Sequence, residues 1–126
     1  MITKIKLNNI PFLKKWFVTI GNTIYVPIKY YNLCKTIPLF RQNNLPLFEH
    51  ENLHSKRQFK LGVSKWLWKY ITDKDFKWQE EKLAYTLEIS LKRKMKYKIN
   101  KEWYFNTLNK YRMANKNQIT EFLESV

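Results

Sequence analysis

The excess of positive charge constrains this chain more than any other feature, because any compact fold must accommodate it. The sequence holds 24 Lys and Arg residues against 10 Asp and Glu, a formal net charge of +14 at pH 7. A compact domain with this charge repels itself, and binding to a polyanion relieves the repulsion. Nucleic acid is the commonest polyanionic partner, since neutralised phosphates release condensed counterions. Most of the basic residues are Lys, which favours contact with an RNA backbone over recognition of particular bases.

Composition indicates the class of protein and its compartment. Hydrophobic residues make up 44% of the 126 residues, which is enough for a modest core in a single domain over residues 1–126. No stretch approaches the roughly 20 apolar residues of a membrane span, so no membrane association is expected. Lys, Asn, Ile, Tyr and Phe, whose codons are AT-rich, supply 59 positions. Organellar genomes often have this bias, and we therefore expect a mitochondrial location.

The N-terminal part predicts a β-hairpin within residues 11–30. Two runs rich in β-branched and aromatic residues flank Gly21 and Asn22, a pattern typical of a short hairpin turn. The following segment, 31–55, contains Pro38, Pro46 and several Asn residues. We interpret it as an irregular insertion, long enough to contact something.

Residues 56–126 are predicted to be helical. One amphipathic helix is expected over residues 59–71, with Asp75 as the N-cap of the next helix. Apolar residues then repeat every four positions, and a third helix begins near Lys101. The predicted fold class is mainly α, a helical bundle with a protruding β-hairpin near the N-terminus. The apolar repeat consists of Leu83, Leu87, Leu91 and Met95.

Candidate catalytic groups are few. His50 and His54 flank Glu51, but their spacing is not that of a zinc protease, and we interpret them as loop histidines. Cys34 is the single cysteine, so an internal disulfide and a multi-cysteine zinc site are excluded. We therefore expect neither an enzyme, nor a metal site, nor a cofactor.

The strongest candidate binding segment is 92–101, where six of ten residues are Lys or Arg. A helix C-terminus favours cations, but six exceed that need, which indicates phosphate binding. Aromatic residues near these charges could stack on bases, although Trp66, Trp68 and Trp78 lie at helical spacing and are expected mostly in the core. The complete set of predicted RNA-binding residues is Lys14, Lys15, Lys29, Arg57, Lys65, Lys92, Arg93, Lys94, Lys96, Lys98, Lys101, Lys110, Arg112 and Lys116.

Four short motifs resemble those of the small-subunit ribosomal protein seven family, and they occur in that family's order. Residues 20–28 resemble its Gly-x-Thr-x-x-Val-Pro hairpin segment. Residues 65–67 (Lys-Trp-Leu) and 82–84 (Lys-Leu-Ala) are similar to its Arg-Trp-Leu and Arg-Leu-Ala. Residues 111–117 are similar to its His-Arg-Met-Ala-x-x-Asn signature, with Tyr111 in place of the histidine. The resemblance covers the family's C-terminal half only, because its N-terminal half has no counterpart here.

The resemblance implies a ribosomal protein of the small subunit. That family binds the 3′ domain of small-subunit rRNA in the head, helps to assemble the head, and lies near the exit-site tRNA and the mRNA exit. The implied partners are rRNA and neighbouring ribosomal proteins, with a separate chain among the candidates for the missing N-terminal half. The implied location is the mitochondrial matrix, where translation by such ribosomes takes place.

Two other classes of protein stay open. A lineage-specific accessory subunit of a respiratory membrane complex is also small, basic and rich in aromatic residues. Such a subunit would follow detergent-solubilised membranes, whereas a ribosomal protein would sediment with the small subunit and detach only at high salt. A basic enzyme acting on RNA is the weakest alternative, since no acid–base pair or metal cluster converges.

Overall fold

The computed structural model describes all 126 residues and contains seven helices and three short strands. The predicted fold class, mainly α with a β-hairpin near the N-terminus, is confirmed. The chain forms two compact units, Met1–Leu67 and Trp68–Val126, and the prediction that they belong to a single domain stays a prediction. Each unit has its own cluster of buried apolar side chains. Neither the overall charge nor the continuous helical periodicity of the sequence indicated this division into two units.

The first unit contains a three-stranded sheet with strand order β1-β3-β2. Strand β1 (Lys4–Leu7) runs parallel to β3 (Thr23–Val26), and β2 (Val18–Ile20) pairs with β3 in antiparallel register. The predicted hairpin is therefore β2 and β3, with Gly21 at a φ of +59° in its turn. Glycine adopts this left-handed conformation without a steric penalty. The parallel strand β1 was not predicted.

Three helices follow the sheet, so the prediction of an irregular segment over 31–55 is wrong. They are α1 (Ile28–Leu33), α2 (Ile37–Asn43) and α3 (Leu45–Leu61). Pro38 and Pro46, which suggested a break, lie in the first turns of α2 and α3. Proline is tolerated there because the first backbone N–H groups of a helix have no partner within it.

The two histidines lie on α3, so their interpretation as loop residues is also wrong. His50 and His54 are buried and separated by one helical turn, and their ring centroids lie 5.0 Å apart. His54 also contacts the ring of Trp66, with centroids 5.5 Å apart. Both histidines are therefore part of the packed interior of this unit.

The hairpin does not project away from the helices, because its turn is bound to α3. Ser55 donates a hydrogen bond to the carbonyl of Gly21 at 2.6 Å, and Gln58 accepts one from the Gly21 N–H at 2.7 Å. The Thr19 hydroxyl donates to Glu51 at 2.7 Å. Buried polar groups thus join the hairpin to the helix.

The continuous helix predicted over 59–71 is divided between the end of α3 and α4 (Val63–Thr72), and α5 (Lys74–Lys94) follows as the next helix. The break comes at Gly62, whose φ of +103° ends α3. The N-cap of α5 is Asp73, which accepts a hydrogen bond from the Phe76 N–H at 3.1 Å. Asp75, the predicted cap, lies inside the first turn, where its charge still favours the helix N-terminus.

The second unit is completed by α6 (Lys101–Lys110) and α7 (Lys116–Ser125), in agreement with the predicted start near Lys101. Its core comprises apolar and aromatic side chains from α5, α6 and α7. The predicted apolar repeat lies at the edge of this core instead, with Leu87 and Leu91 half-buried and with Leu83 45% and Met95 37% exposed. The buried face of α5 carries Trp78, Tyr85 and Ile89, because large aromatic side chains bury more apolar area than leucines.

Candidate nucleic-acid interface

The predicted RNA-binding residues are mostly exposed and are divided between the two units. Twelve of the fourteen are exposed, and Arg57 and Lys92 are partly buried. Five belong to the first unit: Lys14, Lys15, Lys29, Arg57 and Lys65. The other nine lie around two helix–helix turns of the second unit, in segments 92–101 and 110–116.

The first of these turns joins α5 to α6 and is fixed by hydrogen bonds. The Tyr97 N–H donates to the Lys92 carbonyl at 2.8 Å, and the Lys96 N–H donates to the Arg93 carbonyl at 3.0 Å. This pair of bonds, with Lys96 at a φ of +61°, is a Schellman C-cap. Asn100 then caps α6 by accepting from the Trp103 N–H at 3.0 Å. The backbone of the turn is therefore held between two helix ends.

Four lysines of this turn have exposed side chains. We call them the α5–α6 lysine patch, which consists of Lys94, Lys96, Lys98 and Lys101. An ammonium group is a compact point charge that binds phosphate oxygens without demanding one geometry. A fixed backbone that presents four such groups within eight residues suits a phosphate chain.

Lys92 is engaged inside the fold and does not belong to this patch. Its ammonium donates to the Tyr104 hydroxyl at 2.6 Å and lies 3.7 Å from a carboxylate oxygen of Glu88. Tyr104 in turn donates a hydrogen bond to the buried Glu88 carboxylate. Arg93 donates to the Val126 carbonyl at 2.8 Å, so one of its guanidinium NH₂ groups is also engaged. The i, i+4 spacing of Glu88 and Lys92 was a signal for the first of these contacts, whereas the contact of Arg93 with Val126 is distant in sequence and had none.

The second turn joins α6 to α7 and contains the 111–117 motif. Arg112 has a φ of +53°, and Met113 turns its side chain into the core, where it is 5% exposed. Asn115 caps α7 and exchanges hydrogen bonds with Gln118 as a capping box. The buried and capping residues of the motif thus have a structural role. Its basic members, with the flanking Lys110, are exposed.

The two turns lie at opposite ends of α6. That helix has ten residues, so its ends are about 14 Å apart at 1.5 Å per residue. A single phosphate cannot bridge the two groups of cations. Several nucleotides of a backbone could, since phosphates follow one another along a strand at much shorter spacing.

Burial of acidic side chains makes the surface more basic than the sequence alone indicates. Four of the ten carboxylates are buried, and no Lys or Arg is. The surface therefore carries 24 basic and six acidic side chains. The buried carboxylates belong to Glu51, Glu80, Glu81 and Glu88.

The tryptophans are divided between core and surface. Trp66 and Trp78 are buried and Trp68 is 70% exposed, which agrees with the expectation that most of the three lie in the core. Tyr97, beside the α5–α6 lysine patch, is 54% exposed. An exposed aromatic ring next to cations offers a stacking surface for a base.

Sequence reasoning missed Phe12 as a candidate. This residue lies in the loop between β1 and β2, and its side chain is 99% exposed. No periodicity distinguishes an exposed phenylalanine from a buried one in an irregular segment. The neighbouring Pro11 and basic residues were the only available signal, and they indicate a turn without indicating exposure.

Comparison with known proteins adds no identification: no family model, no curated protein and no solved structure matches the chain. None of the seven helices combines the length and the apolar character that crossing a membrane requires.

Proposed function

We propose that this protein is a structural, RNA-binding constituent of a small ribosomal subunit, and that the ribosome is mitochondrial. The observation that carries the proposal is the surface charge. No Lys or Arg is buried, while four acidic side chains are withdrawn into the fold. A free protein gains nothing from this separation, because the like charges repel one another. A phosphate-rich partner makes the same separation favourable, because the exposed cations neutralise its phosphates and release counterions.

The resemblance of the four motifs directs the proposal to ribosomal RNA. Lys82 is partly buried, with its ammonium over the Trp78 ring, but the other three basic members are exposed: Lys65 on α4, and Arg112 and Lys116 at the α6–α7 turn. In the proposal these residues bind the 3′ domain of small-subunit rRNA in the head, near the exit-site tRNA and the mRNA exit. Neighbouring ribosomal proteins, or a separate chain, stand in for the absent N-terminal half of the family. The role is structural, in assembly and translation, with no catalytic residue and no cofactor.

The test measures binding to a transcript of the 3′ domain of small-subunit rRNA at several salt concentrations. A triple variant, Lys94→Gln, Lys96→Gln and Lys98→Gln, removes most of the α5–α6 lysine patch. We expect weaker binding and a shallower dependence of log K on log salt, by roughly one unit for each phosphate that the variant no longer binds.

A matched control removes the same charge elsewhere in the same unit. Lys69→Gln, Lys74→Gln and Lys82→Gln change residues outside both turns, and two of these ammonium groups lie over aromatic rings, at 5.6 Å from Phe76 and 5.4 Å from Trp78. The control triple should keep nearly the wild-type slope. Equal slopes for the two triple variants would contradict a localised phosphate site.

A further inference from the structure

The loop between β1 and β2 presents a phenylalanine that the fold itself does not use. The Leu13 N–H donates to the Ile10 carbonyl at 3.1 Å, which closes a turn with Pro11 second and Phe12 third. Phe12 has a φ of +67°. Glycine or asparagine is favoured at that position, because a side chain there strains the backbone. Phe12 therefore combines backbone strain with a side chain that is 99% exposed.

Buried Asn8 holds this loop in place. Its amide group donates to the carbonyls of Leu13 at 2.7 Å and Trp16 at 2.8 Å, and its Oδ1 accepts from the Ile10 N–H at 3.0 Å. The Asn8 N–H donates at 2.8 Å to the carbonyl of Val26, the last residue of β3. The ring of Phe12 is thus mounted on a loop that is cross-linked by the Asn8 side chain and joined to β3 by the Asn8 N–H, which lowers the entropy lost when the ring binds a partner.

The charge around the ring points to an anionic partner. Lys14 and Lys15 occupy the centre of the next turn, closed by the Trp16 N–H and the Leu13 carbonyl at 3.0 Å, and both are exposed. The first unit has only two acidic residues. Glu49 lies 3.6 Å from Arg41, and Glu51 accepts from Thr19. No acidic side chain of this unit is left to neutralise the two lysines.

We propose that Phe12 stacks on an unpaired nucleobase of RNA while Lys14 and Lys15 bind the phosphates beside it. This inference rests on the proposed function and adds to it a single-stranded contact. Bases within a duplex already stack on one another, whereas an unpaired base has a free face for an aromatic ring. One ring and two point charges select for single-stranded RNA without selecting a sequence.

The test compares Phe12→Gly with wild type in binding to a single-stranded RNA oligonucleotide, to the same strand with abasic sites, and to a duplex. The glycine variant should bind the single strand about tenfold more weakly. It should bind the abasic strand and the duplex as wild type does. Its unfolding temperature should be unchanged or higher, since glycine relieves the positive φ. Phe12→Trp should retain single-strand binding, and Phe59→Ala, which removes another exposed aromatic of the same unit, should not weaken it.

Unchanged single-strand binding by Phe12→Gly would overturn the inference. A loss of binding to vesicles of anionic phospholipid without a loss of RNA binding would also overturn it and would make a lipid surface the partner of this loop. Neither result would affect the proposed function as long as the Lys94, Lys96 and Lys98 triple variant still weakens rRNA binding. If the triple variant binds rRNA as wild type does, the proposed function itself is contradicted.

Discussion

The side chain of Gln58 binds both sides of the hairpin turn. Its Oε1 accepts from the Gly21 N–H at 2.7 Å, and its Nε2 donates to the Thr19 carbonyl at 2.7 Å. Gln58 is fully buried, so water cannot replace either hydrogen bond. Helix α3 therefore holds the hairpin by satisfying its backbone groups and not only by apolar packing.

Replacing Gln58 with Met keeps the approximate volume of the side chain and removes both hydrogen bonds. The Gly21 N–H and the Thr19 carbonyl would then lose their partners, and we expect the free energy of unfolding to fall by about 2 kcal/mol. Urea denaturation measures the change. Gln42→Met, at an exposed position on α2, is the control and should change stability little. Equal stability of the two variants would show that the hairpin does not depend on this contact.

Lys96→Gly tests the Schellman cap and the lysine patch at once. Lys96 holds the left-handed C′ position, where glycine has no steric penalty, so the variant should be more stable by about 1 kcal/mol. The neighbouring Lys94→Gly, inside the last turn of α5, should instead lose about 1 kcal/mol, because glycine is unfavourable within a helix. Each variant removes one cation and should lower the salt slope of rRNA binding similarly. Thermal melting distinguishes them, and a destabilised Lys96→Gly would contradict the cap.

Alkaline pH tests the buried tyrosines of the second unit. Burial raises the pKa of Tyr104 well above its usual value of 10.0, and the charge of Glu88 and their hydrogen bond raise it further. Burial likewise raises the pKa of Tyr85. Above pH 10 the unfolded chain therefore releases protons that the folded chain retains. Stability contributed by these groups is complete below that pH and is lost as the pH rises through their folded pKa values.

Tyr104→Phe should make the decline in unfolding temperature above pH 10 shallower, because one of the two titrations disappears. At neutral pH the same variant should be less stable by about 2 kcal/mol, since Glu88 loses a donor and Lys92 loses an acceptor. Melting curves at a series of pH values from neutral to alkaline measure both effects. Phe105→Leu, a partly buried position on the same helix, is a control that should keep the wild-type pH dependence.

Local patterns predicted the elements that depend on local interactions. The hairpin turn at Gly21, the helix start at Lys101 and the burial of Trp66 and Trp78 all follow from residue type and spacing. Pro38 and Pro46 misled the prediction because proline both breaks helices and begins them, and the sequence alone does not separate the two roles. The division into two units could not be predicted, since it depends on which apolar faces meet in space.

The candidate site was predicted only in part, because it also depends on which residues meet in space. Composition indicated that the surface would be basic, and twelve of the fourteen predicted cations are exposed. Glu88 and Lys92 are spaced i, i+4 on α5, so their pairing follows from the sequence, but the hydrogen bond of Lys92 to Tyr104 depends on contact between α5 and α6, which spacing along one helix does not define. The exposure of Phe12 depends on a turn fixed by the side chain of Asn8, at the start of the same loop.

Fractionation on a sucrose gradient tests the proposed function most directly. Mitochondria that contain the tagged chain are lysed with detergent, and the small-subunit peak is collected at low and at high salt for quantitative mass spectrometry. We expect one copy of this chain for each small ribosomal subunit at low salt, with release at high salt as the charges of lysines and phosphates are screened. Absence from the small-subunit peak, with the chain in the fractions of a detergent-solubilised respiratory complex, would contradict the proposed function.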